Sequence, residues 1–256
     1  MILVKKLKLV FIGIPYSAST AISDDLFKNH DGKAVLRKHS LFPEFKEISV
    51  KEENKYLIFA VKRNPMDIVV SIYEKMKNDS KGNFKNPSLL EKNGGHISKK
   101  QQKQYLFIRE KKATFQQYFK KFYKSTYTSL LSQSKKDYDR LISFENLSEE
   151  YTQFLRELGV KNIHTIHKLN QTKGKNNFVK YYTPEIRKQA ISVFSPYMSD
   201  FGYKFPEDWG PIRTPLIFKL NYLLKNQIKR IFYPFRKKIS RKSVKNSVYG
   251  KIQRSN

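Results

Sequence analysis

The chain has 256 residues, 39% of them hydrophobic, with 51 Lys/Arg against 22 Asp/Glu and no cysteine. This length allows one large domain or a domain with an appendage. The absence of thiols excludes disulfides and thiolate metal sites, and no apolar run approaches the ~18 residues of a membrane span. A net charge of +29 favours anionic partners such as nucleic acid, anionic lipid, acidic glycans or a phosphorylated cofactor, without choosing among them. Residues 1–7 are too short and too quickly charged for a signal peptide. With the missing cysteines, this sets the expectation of a cytoplasmic protein.

Residues 7–13, apolar apart from Lys8, are expected to be a first buried strand. A helix is expected over 20–27, with Asp24 and Asp25 in its early turns. It is followed by a turn at His30-Asp31-Gly32-Lys33, a short strand at 34–37 and a short helix at 43–48 that starts on its proline. Residues 56–61 are the next buried strand. Asn64 is suited to cap the helix after it, with Pro65 at the first position and Asp67 in the first turn. Ile68, Val69, Ile72, Tyr73 and Met76 give that helix an apolar face. Residues 79–98 are polar and glycine-containing and read as a long surface loop. Helices are expected at 101–109 and 114–123, and a strand at 141–144. Ser148 then caps a helix whose Tyr151, Phe154, Leu155 and Leu158 recur at helical spacing up to Gly159. Thr183-Pro184 opens a helix with Ile186, Ala190, Val193, Phe194 and Tyr197 on one face, and residues 201–206 close the domain. Residues 215–235 form a basic amphipathic helix, and a disordered tail follows; residues 209–256 hold 13 Lys/Arg and no Asp/Glu. The alternation of strands and helices predicts an α/β fold with a parallel sheet and ligands at the strand C-termini.

Two segments carry the chemistry. Phe11-Ile12-Gly13-Ile14-Pro15-Tyr16-Ser17-Ala18-Ser19-Thr20 reads as a buried strand that ends in a small-residue loop and opens a helix. Phe59-Ala60-Val61-Lys62-Arg63-Asn64-Pro65-Met66-Asp67-Ile68-Val69-Val70-Ser71 repeats the plan, with Arg63 at the strand end and Ser71 eight residues later. Helix N-termini favour anions through free N–H groups and the helix dipole. Two such junctions suggest a ligand with two separated phosphate-like groups. The first is not a Walker loop, because the Gly-Lys-Ser/Thr ending is missing; ATP or GTP hydrolysis is therefore disfavoured. The plainer alternatives are an ordinary turn capped by Thr20 or Ser19, and an Arg63 in a structural ion pair beside a small packing Ser71.

Ile14-Pro15-Tyr16-Ser17-Ala18-Ser19-Thr20 resembles, except at its lysine, the I-P-K-x-A-[GS]-T loop that holds the 5′-phosphosulfate in the PAPS-dependent sulfotransferases. Arg63-Asn64-Pro65-Met66-Asp67-Ile68-Val69-Val70-Ser71 is similar throughout to the R-N-P-x-[DE]-x-x-V-S segment that grips the 3′-phosphate there. Within that family the likeness is to the carbohydrate (glycan) branch, and it extends over most of residues 7–206. Leu141-Ile142-Ser143-Phe144-Glu145-Asn146-Leu147 resembles a family strand with a Phe-Glu-x-Leu ending. Leu169-Asn170-Gln171-Thr172 resembles a short Asn-containing loop near the cofactor, and Tyr181-Tyr182-Thr183-Pro184-Glu185 with Phe201-Gly202-Tyr203 resembles the closing helix. The resemblance implies a three-layer, P-loop-like sulfotransferase fold with a central parallel sheet over residues 1–210, then a basic amphipathic helix and tail over 211–256. It implies cofactor contacts from Pro15, Tyr16, Ser17, Ala18, Ser19, Thr20, Arg63, Ser71 and Asn170. PAPS would be the sulfuryl donor, PAP the product, a hydroxyl of a carbohydrate or glycoconjugate the acceptor, and no metal would be needed.

Such a transfer requires two nucleotide anions to be held, charge on the leaving phosphate to be stabilised and a proton to be taken from the acceptor. Arg63 offers a planar fork for a phosphate, and Ser71 a hydroxyl two turns on. Tyr16 stands where the family usually has lysine, and it brings no cation at pH 7. Loss of one transition-state donor commonly costs ~10²–10³ in rate. Lys38, Lys173 or Lys175 are the candidate replacement cations. His39 is the first candidate general base, because its ordinary pKa is near neutral and the Lys38-His39 pair resembles a Lys-His step in relatives; Glu44 and Glu145 follow. His164 and His167 have His-x-x-His spacing without an evident third ligand, so no metal site is expected.

The tail reads as a membrane-surface or acceptor-docking element, since basic amphipathic helices adsorb to anionic lipid. The alternative is that its apolar face packs on the domain. The implied protein is a cytoplasmic, membrane-associated enzyme that sulfates a saccharide or lipid-linked glycan. Two other readings stand beside it. One is a protein that binds PAPS or PAP without catalysis, because of Tyr16. The other, on charge alone, is a nucleic-acid-binding protein, for which no recognised motif is present.

Overall fold

The computed structural model describes residues 1–93, 95–164, 166, 177–238 and 249, with the backbone alone at 234–238. In chain order the elements are β1 (Ile2–Val4), β2 (Leu9–Phe11), α1 (Ser19–Asn29), β3 (Lys33–Ala34), α2 (Phe42–Lys46), β4 (Leu57–Lys62), α3 (Pro65–Asn78), α4 (Lys99–Glu110), α5 (Phe115–Phe122), α6 (Leu130–Gln133), β5 (Arg140–Ser143), α7 (Leu147–Glu157), α8 (Pro184–Phe201) and α9 (Leu216–Lys238). The protein is α/β, and its contacts define two interleaved units. One comprises Met1–Arg63, Thr128–Asn170 and Leu223–Asn256; the other comprises Asn64–Tyr127 and Gln171–Tyr222.

The first unit holds a five-stranded mixed sheet of order β3-β1-β2-β4-β5. β2, β4 and β5 run parallel, with Leu9 opposite Leu57 and Phe59 opposite Arg140. The expectation of a parallel sheet holds for these three strands and is corrected at the other edge, where β1 pairs antiparallel with both β2 and β3. A tight hairpin turn at residues 5–8 is the cause. The Lys8 N–H donates to the Lys5 carbonyl at 3.1 Å, and Lys8 takes a φ of 49°. That left-handed position ordinarily calls for Gly, Asn or Asp, so four residues rich in lysine gave no sign of a turn. The run at 7–13 is thus the end of a turn followed by a three-residue strand.

Side chains alternate across these strands. Ile2, Val4, Leu9, Phe11, Phe59, Val61 and Ile142 pack with Ile22 and Leu26 of α1 and with Tyr151, Phe154 and Leu155 of α7. The alternate residues Leu3, Val10, Ile58 and Ala60 are buried as well, which is why the strands read as unbroken apolar runs. α7 begins after Asn146 with no side-chain cap, so the expected Ser148 cap is corrected. Ser148 lies inside the helix, and the Glu150 carboxylate instead accepts from the Ser143 N–H at 2.7 Å. Gly159 takes a φ of 79° and stops the helix as expected.

The second unit is helical and aromatic. Met66, Val69, Val70, Tyr73 and Met76 of α3 join Tyr105, Phe115, Tyr118, Phe119, Ile186 and Phe194 in one core. Capping boxes Ser98/Gln101 and Thr114/Gln117 start α4 and α5, and Gly202 ends α8 in the left-handed conformation. Residues 79–98 are more than a surface loop. Phe84, Leu90 and Ile97 are buried in the core, and Phe84 stacks on Tyr105 at 5.2 Å between ring centroids. Three apolar residues spaced six or seven apart have no helical or strand period, so the sequence pattern concealed them.

Candidate functional site

At the end of β2 the chain enters the 15–20 loop. A Cβ on Gly13 would stand 3.2 Å from the Ser19 Cβ and 2.8 Å from the Tyr249 hydroxyl, so only glycine passes there without displacement. Tyr16 and Ala18 both take left-handed backbone, with φ of 65° and 51°. For a bulky residue this costs on the order of 1–3 kcal/mol, and alternation into the left-handed region is the backbone pattern that anion-binding concavities use. α1 starts after Ala18 with no side-chain cap and no acidic residue in its first turn. Neither Ser19 nor Thr20 serves as its cap, and Asp24 and Asp25 lie beyond the first turn. The Ser17 Oγ is buried with no hydrogen-bond partner among the described residues.

Lys38 and His39 approach this loop. The Lys38 ammonium donates to the Thr20 Oγ1 at 2.9 Å, so a cation stands at the start of α1 although Tyr16 supplies none. His39 takes a φ of 70°, and its Nδ1 lies 2.6 Å from the Gly13 carbonyl. A carbonyl can only accept, so Nδ1 carries the proton in that bond. Glu44 is the third residue of α2, and its carboxylate accepts from the Leu41 N–H at 2.9 Å, the Ser40 hydroxyl at 3.2 Å and the Tyr233 hydroxyl at 2.5 Å. Three donors on one carboxylate give it a structural role at the start of α2. Burial and the Glu44 carboxylate push the Tyr233 phenol far above its ordinary range. Glu145 is exposed on the chain after β5 and accepts from the Ser143 hydroxyl at 2.7 Å.

Arg63, at the end of β4, is 8% exposed. Its Nη1 donates to the Tyr16 carbonyl at 2.5 Å, and its guanidinium stacks over Phe144, 3.9 Å from the ring centroid. The two motifs identified in the sequence therefore touch within the first unit. The second unit opens with α3: the Asn64 side chain accepts from the Met66 N–H, Pro65 needs no partner, and Asp67 occupies the first turn. Ser71 is buried on α3 at 3% exposure. Asn170, Lys173, Lys175 and His167 lie outside the described residues, as do 239–248 and 250–256, where the disordered tail was expected.

Three features were not foreseen. Phe144 follows the apolar run of β5, and only its place after that strand marks it as a neighbour of another strand end. Tyr249, in a stretch expected to be a disordered tail, is buried against Phe27, edge-on at 5.8 Å. Its hydroxyl is 3.0 Å from the Ser23 Oγ, and its ring is 5.8 Å from the Lys38 ammonium. Asp25 is a buried acid that accepts from Tyr151 at 2.8 Å and from Asn29 at 2.8 Å, with the His30 Nε2 at 3.2 Å. Burial pushes its carboxyl up, but the bonds from His30, Asn29 and Tyr151 outweigh that and hold it below the usual carboxylate range. A lone acid in an amphipathic helix gives no sequence signal for such a network.

A cleft of about 370 Å³ opens beside β1 and β3, lined by residues such as Leu3, Lys6, Lys33, Phe45 and Glu53; none of the candidate residues lines it. Among the described residues no three His, Asp or Glu side chains gather as a metal site, and no helix is long and apolar enough to cross a membrane. No family model, no curated protein and no solved structure matches this chain.

Proposed function

We propose that the 15–20 loop of the first unit binds a phosphate of PAPS or PAP, and that the protein transfers the sulfuryl group to a hydroxyl of a carbohydrate or glycoconjugate on a three-layer, P-loop-like sulfotransferase fold. The observation that carries this reading is the Arg63 guanidinium on the Tyr16 carbonyl. It joins the two segments that resemble the family's phosphate-binding motifs. The chemistry of the loop fits a phosphate-bearing nucleotide: an orphaned buried hydroxyl at Ser17, an uncapped helix N-terminus without acids, and the Lys38 ammonium on Thr20. Each supplies a donor or positive charge where a doubly charged phosphate needs one.

PAPS, when bound, supplies the activated sulfuryl group. Lys38 provides the positive charge that Tyr16 lacks. Arg63 fixes the strained loop through the Tyr16 carbonyl. His39, with its Nδ1 proton on Gly13, is the candidate base for the proton of the acceptor hydroxyl. Glu44, already accepting three bonds, is the weaker base. Pro15, Ala18 and Ser19 complete the loop; Ser71 and Asn170 stay in the reading on the sequence motif.

Calorimetric titration with PAP at two salt concentrations, on the parent and on Arg63→Ala, tests this reading. Saturable binding near the micromolar range, one PAP per chain and abolished by Arg63→Ala, supports it. Weak binding that salt removes equally from both proteins contradicts it and favours attraction by charge alone. A second reading, binding without turnover, is favoured by Tyr16. A large gain of transfer from labelled PAPS in Tyr16→Lys would support it, and an already active parent would exclude it.

A further inference from the structure

α9 is attached to the protein by the face that a soluble helix ordinarily shows to water. At roughly 100° per residue, Tyr222, Asn226, Arg230 and Tyr233 lie along one side. All four are polar or carry a hydroxyl, and all four are engaged. The Tyr222 hydroxyl donates to Asp200 at 2.8 Å, the Asn226 side chain accepts from Ser132 at 2.9 Å, Arg230 pairs with Asp137 at 3.0 Å, and Tyr233 donates to Glu44. The opposite side carries Leu216, Leu220, Leu223, Leu224, Ile228 and Ile231, which are 44–69% exposed. Among the described residues this apolar face is thus left open rather than packed.

Charge narrows what covers it. Lys219 borders the apolar side along one edge, Lys225 and Lys229 lie along the other, and the helix has no Asp or Glu anywhere in its sequence. A second copy of α9 laid face to face would bring like charges together, which opposes self-association. An apolar stripe flanked by lysines, with a polar back already bound to the protein, matches the interface of a bilayer bearing negative headgroups. There the leucines enter the acyl boundary and the lysines reach the headgroups. The 23 residues are too polar to span, so the helix lies in the plane of the surface. We propose that α9 docks the protein peripherally on anionic lipid through this stripe. The proposal does not depend on the nucleotide reading.

The test is sedimentation of the full chain with phosphatidylcholine vesicles, with and without phosphatidylserine, for the parent and for the triple variant Leu220→Ser, Leu224→Ser, Ile228→Ser. These side chains are exposed, so circular dichroism and the thermal midpoint should match the parent. Preferential binding to the phosphatidylserine vesicles, reduced at least ~50-fold in the variant, is the expected result. Binding that survives in the variant and disappears in high salt would overturn the role of the apolar stripe. A parent that is dimeric by light scattering, turns monomeric in the variant and ignores vesicles would also overturn the proposal, in favour of a second copy. PAP binding should be equal in parent and variant, so failure here and failure of the nucleotide reading remain distinguishable.

Discussion

The chain makes two strand–helix junctions on one sequence plan, and their helices start differently, one with a side-chain cap and an acid in its first turn and the other with neither. At the end of β4, Asn64 caps α3 with its own side chain, Pro65 removes one N–H, and Asp67 meets the positive end of the helix. At the end of β2, the chain takes left-handed backbone at Tyr16 and Ala18, α1 starts without a side-chain cap or an acid in its first turn, and the Ser17 hydroxyl is buried without a partner among the described residues. The left-handed backbone and the buried Ser17 hydroxyl are what the proposed anion site would engage. The cationic groups follow the same asymmetry, since both Lys38 and Arg63 reach the first loop.

The largest way to break this contrast is at Lys38. Lys38→Met should lower transfer from labelled PAPS by about 10²-fold, the usual loss for one transition-state stabiliser; an unchanged rate would return the question to Tyr16. Next comes the strained loop itself. Arg63→Ala removes a buried, charge-assisted bond to the Tyr16 carbonyl and the stack on Phe144, and should destabilise by about 3 kcal/mol in urea titration. Arg63→Lys, which lacks the planar fork, should recover only part of that.

Asp25 sharpens the contrast from the other end of α1, where the acid serves His30 and Tyr151 rather than the helix N-terminus. Its carboxyl is held below the ordinary range in the folded protein. The stability it contributes is therefore present above the unfolded value of about 4 and is lost as pH falls through the lower folded value. Asp25→Asn should flatten that acid limb of the stability profile and cost about 2 kcal/mol at neutral pH. The smallest effect is the control at the capped junction: Asn64→Ala should cost about 1 kcal/mol of stability.

What was legible in the sequence follows from which forces act locally. Asn64, Pro65 and Asp67 announced α3 because capping is local chemistry, and the apolar runs at β2 and β4 announced buried strands because both faces of the sheet are covered. The β1–β2 hairpin was hidden because Lys8 occupies a position normally marked by glycine. The contact between Arg63 and Tyr16 could be suspected from the paired motifs, but its partner Phe144 comes from a strand some eighty residues on, and the Lys38–Thr20 bond depends on how the chain after β3 folds back. Glu44 looked like a possible base because the sequence does not show Tyr233, 189 residues away, donating to it. The amphipathic period of α9 was plain; which of its two faces would meet the protein was not, because polar anchoring depends on Asp200, Ser132 and Asp137 elsewhere in the chain.

The most direct measurement is a PAP titration of Lys38→Met and Asn64→Ala beside the parent. Weakening of about 10-fold in Lys38→Met, with less than about 2-fold change in Asn64→Ala despite its lower stability, is the result expected if the first junction holds the phosphate. Equal losses in both variants, or no saturable binding in the parent, would contradict it.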